Sequence, residues 1–152
     1  MKLSNGFDIS ASALTAQRFR MDVISSNIAN ADSTRATNVN GKWVPYQRKM
    51  VTLEPKQSFS QTLQGAMGGA QQSGTAGEGV RVTKVVGDTT PFKQVYNPTH
   101  PDADENGFVM LPNVDIAKEM VDMISATRSY EANVTALNAS KSLIGKALEI
   151  GR

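Results

Sequence analysis

The sequence has no cysteine, few aromatic residues and no long apolar run, and each absence excludes a class of protein. Without cysteine there can be no disulfide, no thiolate zinc site and no thiol catalysis. No segment approaches the roughly 18 apolar residues of a membrane-spanning helix. Aromatic residues make up only 6% of the 152 residues and hydrophobic residues 39%, which is modest material for a core. We therefore expect one domain, or one domain with an extension.

Neither sign of charge dominates. The 16 basic and 14 acidic residues leave a formal charge of +2, and no segment concentrates positive charge as a nucleic-acid or anionic-membrane surface requires. Residues 1–6 lead directly into an amphipathic stretch without an apolar signal core, so the sequence predicts no cleaved secretory signal. Nucleic acid and direct membrane insertion are therefore not expected.

No catalytic constellation is recognisable. The single histidine, His100, lies between two prolines and has no evident nucleophile or histidine partner. No nucleophile elbow and no phosphate-binding glycine loop is present. The sequence predicts neither an enzyme nor a cofactor.

One segment, Asp102–Gly107, has the pattern of half a calcium-binding loop. Oxygen-bearing residues occupy its first, third and fifth positions, and Gly107 occupies the sixth. The twelfth position should be a glutamate but is Asn113, so we interpret the segment as a polar turn and expect no metal. A soluble calcium-binding or adaptor module is kept as an alternative.

The last third of the chain is predicted to be one long helix. Residues 114–150 contain no proline, Asn113 is placed to cap the start and Gly151 to follow the end. Two lines of mostly apolar residues share one face: Ile116, Met123, Tyr130, Leu137 and Ile144, and then Met120, Thr127, Val134, Lys141 and Leu148. Such a face needs a partner helix.

A second helix is predicted at the N-terminus, to about Ala31. A capping-box-like start is offered by Asn5 and Asp8. Four apolar residues recur every seven positions along one face of this helix: Phe7, Leu14, Met21 and Ile28. Ala11 and Ile24 lie on the same face. We expect the terminal helices to pair as a coiled coil; the alternative is two ordinary amphipathic helices on a globular core.

The middle of the chain is predicted to be a small β region. One strand is expected over Lys42–Leu53, bent by Pro45, and a mobile loop over residues 57–79. Another strand, Val80–Val86, is expected to pair with Phe92–Tyr96, and a last short strand covers Phe108–Leu111. The fold class is thus mainly α with a small β region, divided into an N-terminal axial helix (1–35), a β-rich middle segment (36–113) and a C-terminal axial helix (114–152).

Several stretches resemble the axial proteins of the bacterial flagellum. Residues 26–34 (SNIANADST) resemble the N-terminal signature of flagellar rod and hook proteins, with Asn27, Ala29, Asn30 and Thr34 as its motif positions. Residues 129–133 (SYEAN) and 136–138 (ALN) resemble their C-terminal signature. Residues 97–103, 107–109, 112–114 and 146–151 are similar to the C-type proximal rod proteins of the basal body in particular.

The resemblance implies a structural, torque-transmitting subunit of the proximal rod in the periplasmic space, exported by the flagellar type III apparatus. Its implied partners are copies of itself, other proximal rod proteins, the distal rod and rod–ring adaptor proteins. Another rod component or a rod–ring adaptor is the alternative within this family. A free subunit cannot cover both apolar faces, so we expect its termini to order only on assembly. The residues expected at the assembly interface are Phe7, Leu14, Met21, Ile24, Ile28, Met123, Tyr130, Leu137, Ile144 and Leu148.

The signature around Asn27, Asn30 and Thr34 has two interpretations. Asn30 can end the helix and begin a turn, or the segment can contact an adjacent subunit, and both can hold together.

Overall fold

The computed structural model describes residues 4–39, 41–56, 63 and 79–150. Two long helices dominate it: α1, Ser4–Ala29, and α2, Ile116–Ile150. At 1.5 Å per residue they are about 39 and 52 Å long. The described residues between them form short strands, so the predicted mainly α fold with a small β region is confirmed.

The helices pack against each other in opposite directions. A Cβ built on Gly6 would lie 3.9 Å from the Ser140 hydroxyl, and the Asn27 side chain donates to Glu119 over 3.0 Å. The start of α1 therefore lies beside the end of α2, so the two helices are antiparallel. The predicted pairing of the terminal helices is confirmed.

The chain forms two compact units. The first unit consists of Met1–Phe19, Thr52–Lys84 and Ala126–Arg152, and the second of Arg20–Val51 and Val85–Ser125. Among the described residues, the buried apolar side chains of the first unit include Ala16 and Ala126, and those of the second include Ile24, Tyr46, Val109, Pro112 and Val114. The second unit thus holds the larger side chains of the core. Each unit contains residues of both helices. The sequence analysis instead divides the chain into three consecutive segments.

Helix α2 begins two residues later than predicted, and its cap is Asp115. The Asp115 carboxylate accepts hydrogen bonds from the backbone N–H groups of Ala117 (3.0 Å) and Lys118 (3.4 Å). The prediction that Asn113 caps this helix is wrong, because its side chain faces the strands and accepts a hydrogen bond from Arg48 N over 2.7 Å.

The described strands form three separate pairs. Their bounds are β1 Thr37–Val39, β2 Lys42–Val44, β3 Lys49–Pro55, β4 Val80–Gly87, β5 Lys93–Tyr96 and β6 Phe108–Leu111. The pairs are β1 with β2, β3 with β4, and β5 with β6. The described strands therefore form three two-stranded ribbons and not one sheet.

Two of the strand predictions are wrong in detail. The strand expected over Lys42–Leu53 is interrupted after Val44, where Pro45 is buried and Tyr46 N donates to Ser33 O over 3.0 Å. The backbone there pairs with the turn after α1, so it leaves the ladder. The predicted pairing of residues 80–86 with 92–96 does not occur.

Residues 92–96 pair instead with the last short strand. The β5–β6 pair is antiparallel, with Tyr96 opposite Phe108, and their rings lie edge to face with centroids 5.4 Å apart. Asn97 N donates to Gly107 O over 2.9 Å, which closes the connection, and Gly107 has φ +76°. The predicted polar turn at Asp102–Gly107 is thus the end of a hairpin.

The β1–β2 hairpin was missing from the sequence prediction. Its strands pair antiparallel, from Thr37 opposite Val44 to Val39 opposite Lys42. Gly41 has φ +83°, and its N–H donates to Asn38 Oδ1 over 3.0 Å. The loop predicted over residues 57–79 lies outside the described residues, apart from Leu63 and Gly79.

Gly79 is the point at which the β3–β4 ribbon touches α1. Its carbonyl accepts from Lys56 N over 2.6 Å, and the next residue, Val80, donates its N–H to Ser12 Oγ over 3.1 Å. A Cβ on Gly79 would lie 2.1 Å from Ser12 Oγ and 3.0 Å from Ser12 Cβ. The helix surface therefore leaves no room for a side chain here.

We predict that Gly79→Ala lowers the free energy of unfolding by about 1–3 kcal/mol, because Ser12 must move and lose its hydrogen bonds. Gly145→Ala is the control, since an added Cβ there meets nothing within 4 Å. Gly145 lies exposed within α2, so its replacement should be neutral or stabilising by up to about 1 kcal/mol. Urea unfolding of the purified chains measures both; equal effects of the two substitutions would contradict the close contact.

Candidate assembly interface

A buried ion pair joins α2 to the segment before β3. Glu119, in the first turn of α2, is 0% exposed, and its Oε1 accepts from Arg48 Nε over 2.6 Å. Its other oxygen accepts from Asn27 Nδ2 of α1 over 3.0 Å. Because a carboxylate offers two acceptor oxygens, it satisfies both donors at once. One side chain thus holds three segments of the second unit together.

Asn27 is 1% exposed, and both the nitrogen and the oxygen of its side-chain amide form hydrogen bonds. Besides Glu119, Nδ2 donates to Lys49 O over 2.9 Å. Its Oδ1 accepts from Lys49 N and from the Tyr46 hydroxyl, each over 3.0 Å. This motif residue therefore binds the first residue of β3 within its own subunit. We call Asn27, Tyr46, Arg48 and Glu119 the polar cluster.

Arg48 faces further carboxylates. Its guanidinium lies 3.4 Å from both Asp88 and Asp122, and Asp122 also lies 3.7 Å from Arg20 of α1. Burial alone would lower the pKa of Arg48, but the hydrogen bonds and charges of Glu119 and Asp88 outweigh it and raise that pKa above its ordinary value. Arg48 is therefore firmly charged.

Asn113 extends the cluster to the loop after β4. Its side-chain amide donates to Asp88 O (3.2 Å) and Thr90 O (3.0 Å). Thr90 in turn donates its hydroxyl and its N–H to Asp88 Oδ1 over 2.7 and 3.0 Å. These two hydrogen bonds, followed by the Arg48 charge, lower the pKa of Asp88.

The remaining motif residues lie at the end of α1. Asn30 Nδ2 donates to Ser26 O over 2.9 Å and so binds a carbonyl of the last turn, while its Oδ1 accepts from Ser33 Oγ over 3.2 Å. Ala29 is exposed. Thr34 Oγ1 donates to Asp102 Oδ2 over 2.8 Å, which ties the helix end to the β5–β6 hairpin loop.

Asp102, the first residue of the calcium-like pattern, is bound by a cation of the chain itself. Arg35 Nε donates to its Oδ1 over 2.6 Å, and this hydrogen bond together with that of Thr34 lowers the pKa of Asp102. His100 Nδ1 accepts from Asp102 N over 3.1 Å. Within the described ranges, no three His, Asp or Glu side chains form a group that could hold a metal ion.

The structure places the predicted interface residues at very different depths. On α1, Ile24 is buried, Leu14, Met21 and Ile28 are half-buried, and Phe7 is 40% exposed. On α2, Met123, Tyr130, Leu137 and Ile144 are half-buried, and Leu148 is 72% exposed. The largest exposures thus fall near the chain ends, at Phe7 and Leu148.

The inner face of α2 is rotated relative to the predicted one. Its fully buried residues are Glu119 and Ala126, and Asn133 and Ser140 continue that line at the same spacing, half-buried. Of the second predicted line, Met120, Lys141 and Leu148 are exposed instead. This line of smaller and polar residues carries no hydrophobic signal, so hydrophobic patterning does not predict it. No helix among the described residues has the length and apolarity to cross a bilayer.

Two known families match the two helical ends of the chain. Residues 7–37 match the family described as flagella basal body rod protein, and residues 105–150 match the C-terminal family of the flagellar basal body rod proteins FlgEFG. Both matches define the class as flagellar basal-body rod proteins.

Full-length relatives identify the group within that class. The flagellar basal-body rod protein FlgC of Bacillus subtilis (strain 168) is 59% identical over 100% of both chains. FlgC of Yersinia enterocolitica is 43% identical over 100% of both chains, and FlgC of Borreliella burgdorferi is 41% identical over 99% of this chain and 98% of its own. The chain belongs to the FlgC family, and it is a structural component of the flagellar basal-body rod.

We predict that Glu119→Gln lowers the free energy of unfolding by about 2–3 kcal/mol, because glutamine offers one acceptor where Arg48 and Asn27 need two. The matched control is Glu131→Gln, since Glu131 pairs with Arg128 over 3.2 Å on the exposed surface of the same helix. Such a surface pair contributes well under 1 kcal/mol. Thermal or urea unfolding compares the two; a similar small loss in both variants would contradict the role of Glu119.

Proposed function

We propose that the subunit builds the proximal rod through its paired terminal helices, stacked helically with those of its neighbours to form a torque-transmitting shaft. The observation that carries this proposal is that large apolar side chains remain uncovered at one end of the helix pair, where α1 begins and α2 ends. Phe7 in α1 and Leu148 in α2 are the predicted interface residues with the greatest exposure. Exposed apolar surface of this kind is typical of an interface that a partner completes.

The half-buried residues of the predicted interface support the same proposal. Three of them are partly covered within the subunit: Leu14 of α1, and Leu137 and Ile144 of α2. The part of their surface that remains exposed could contact another chain. Covering that remaining surface would add to the stability of the assembled helices at about 25 cal/mol per Å². Subunits related by a helical operator make such contacts without closing a ring.

In this proposal the terminal helices and the middle segment have different roles. The axial helices, residues 1–35 and 114–152, form the shaft, and the middle segment, residues 36–113, is carried on its outside. Hydrogen bonds of Asn27 to Lys49 and of Thr34 to Asp102 fix parts of that segment to the end of α1. These bonds give the middle segment a defined attachment in each subunit.

The place of the subunit in the flagellum is proposed on family grounds. Its neighbours would be copies of itself, other proximal rod proteins, the distal rod and rod–ring adaptor proteins, within the periplasmic space. It would reach that place unfolded through the flagellar type III export apparatus, without a cleaved signal. The family supports association with other rod components; the particular neighbours are our inference.

We predict that Leu137→Glu abolishes swimming while export of the chain continues, because the substitution puts a charge into a half-buried helix face. Ala139→Glu is the control, since Ala139 is exposed two residues further along α2. Motility in soft agar, together with immunoblots of secreted protein and purified basal bodies, distinguishes the outcomes. Normal swimming of the Leu137→Glu strain would contradict the proposed interface.

A further inference from the structure

The outer face of the β5–β6 hairpin carries exposed apolar side chains. Because directly opposite residues of an antiparallel pair point to the same face, Tyr96 and Phe108 share one face with Met110. Val109, which alternates with them, points to the other face and is buried. Tyr96 is 66% exposed, and Phe108 and Met110 are also exposed. Val109 is thus covered, although its opposite residue Val95 is 45% exposed, and the outer face is left exposed by the part of the chain that the structure describes.

A cleft beside this face is lined by Trp43. The cleft has a volume of about 220 Å³, and Pro45 and Met110 also line it. Trp43 itself is 55% exposed. Aromatic and methionine side chains are enriched in the cores of protein interfaces. We call Trp43, Tyr96, Phe108 and Met110 the hairpin surface.

The edge of the hairpin surface carries charge available to a partner. Asp104 and Glu105 are exposed and make no ion pair among the described residues, whereas Asp102 is held by Arg35. Asp104 lines the cleft, and Lys42 lines it as well. The turn at 104–105 therefore favours a basic side chain on the partner.

A second uncovered apolar surface lies on the first turns of α2. Met120, Val121 and Ile124 are exposed, with Val121 at 67%. Their helix faces inward through Glu119 and Ala126, so these residues lie away from the buried line. Lys118, one turn from Val121, is exposed and has no ion pair within the described ranges. We call Lys118, Met120, Val121 and Ile124 the helix surface.

We propose that the helix surface of one copy seats on the hairpin surface of the next copy, with Lys118 facing Asp104 and Glu105. Each surface supplies what the other requires: apolar side chains flanked by a cation in one case and by carboxylates in the other. Because each contact joins two different surfaces, it leaves one of each surface free on the pair, and under a helical operator it can repeat from copy to copy. The inference rests on the proposed function only in requiring that copies be adjacent in the rod.

The size of the hairpin surface fits a polymer contact better than a stable dimer. With its four side chains about half exposed, it offers on the order of 400 Å² of contact. Stable pairs bury about 800 Å² per partner. A contact of this size is weak in an isolated pair and is stabilised where neighbouring helices also engage.

The absence of native cysteine makes disulfide cross-linking a clean test. We predict that chains carrying Glu105→Cys and chains carrying Lys118→Cys, produced together in cells without the native chain, form mixed dimers when isolated basal bodies are oxidised. Glu105→Cys with Ala132→Cys is the control, because Ala132 lies about 21 Å further along α2 and should give no dimer. Dimers in cells that carry Glu105→Cys alone would indicate a symmetric contact and overturn the proposal.

Charge reversal gives a second readout. Lys118→Glu should reduce swimming several-fold, and the triple variant Asp104→Lys, Glu105→Lys, Lys118→Glu should restore it. Immunoblots of basal bodies separate the proposed contact from the proposed rod position. If the subunit is present in basal bodies but neither cross-links nor rescue is seen, only the proposed contact is overturned. A wild-type chain missing from basal bodies would instead contradict the proposed rod position.

Discussion

The fold depends on one carboxylate that has no exposure to water. Glu119 accepts from Arg48 and from Asn27, which are 71 and 92 residues away in sequence. A buried ion pair adds little net stability over an apolar contact of the same shape, but losing one partner leaves the other charge uncompensated. The polar cluster therefore specifies how α1, α2 and the start of β3 meet. Asn113 and the start of β3 meet the same cluster, because Arg48 N donates to Asn113 Oδ1 and Lys49 N donates to Asn27 Oδ1.

The first unit is built differently. Its fully buried apolar residues among those described are alanines, and the ribbon touches α1 at a glycine, so the elements approach closely but bury little apolar area. Large apolar side chains stay exposed where α1 begins and α2 ends, as Phe7 and Leu148 show. In the proposed rod, neighbouring chains would cover these side chains.

The sequence predicted the helices and their pairing because a seven-residue repeat without proline is a local and persistent signal. It could not predict the polar cluster, since nothing near Arg48 or Glu119 in the chain indicates their contact. Hydrophobic patterning gives only part of the inner face of α2 for a related reason: it selects Met120 and Leu148, which are exposed, whereas the fully buried line runs through Glu119 and Ala126. The sequence predicts Asn113 as the cap of α2, but Asn113 accepts from the distant Arg48 N–H, and Asp115 caps the helix instead. Only the β1–β2 hairpin had an overlooked local signal, the Asn40-Gly41 pair.

Amide hydrogen exchange on the isolated chain tests the central claim most directly. The account predicts slow exchange where the polar cluster joins the helices, residues 20–29 and 116–125. It predicts fast exchange near the chain ends, residues 4–9 and 140–150, which should become slow when the subunit is incorporated into the rod. Equally slow exchange along the whole of both helices in the isolated chain would contradict the account, because the helix ends would then need no neighbour.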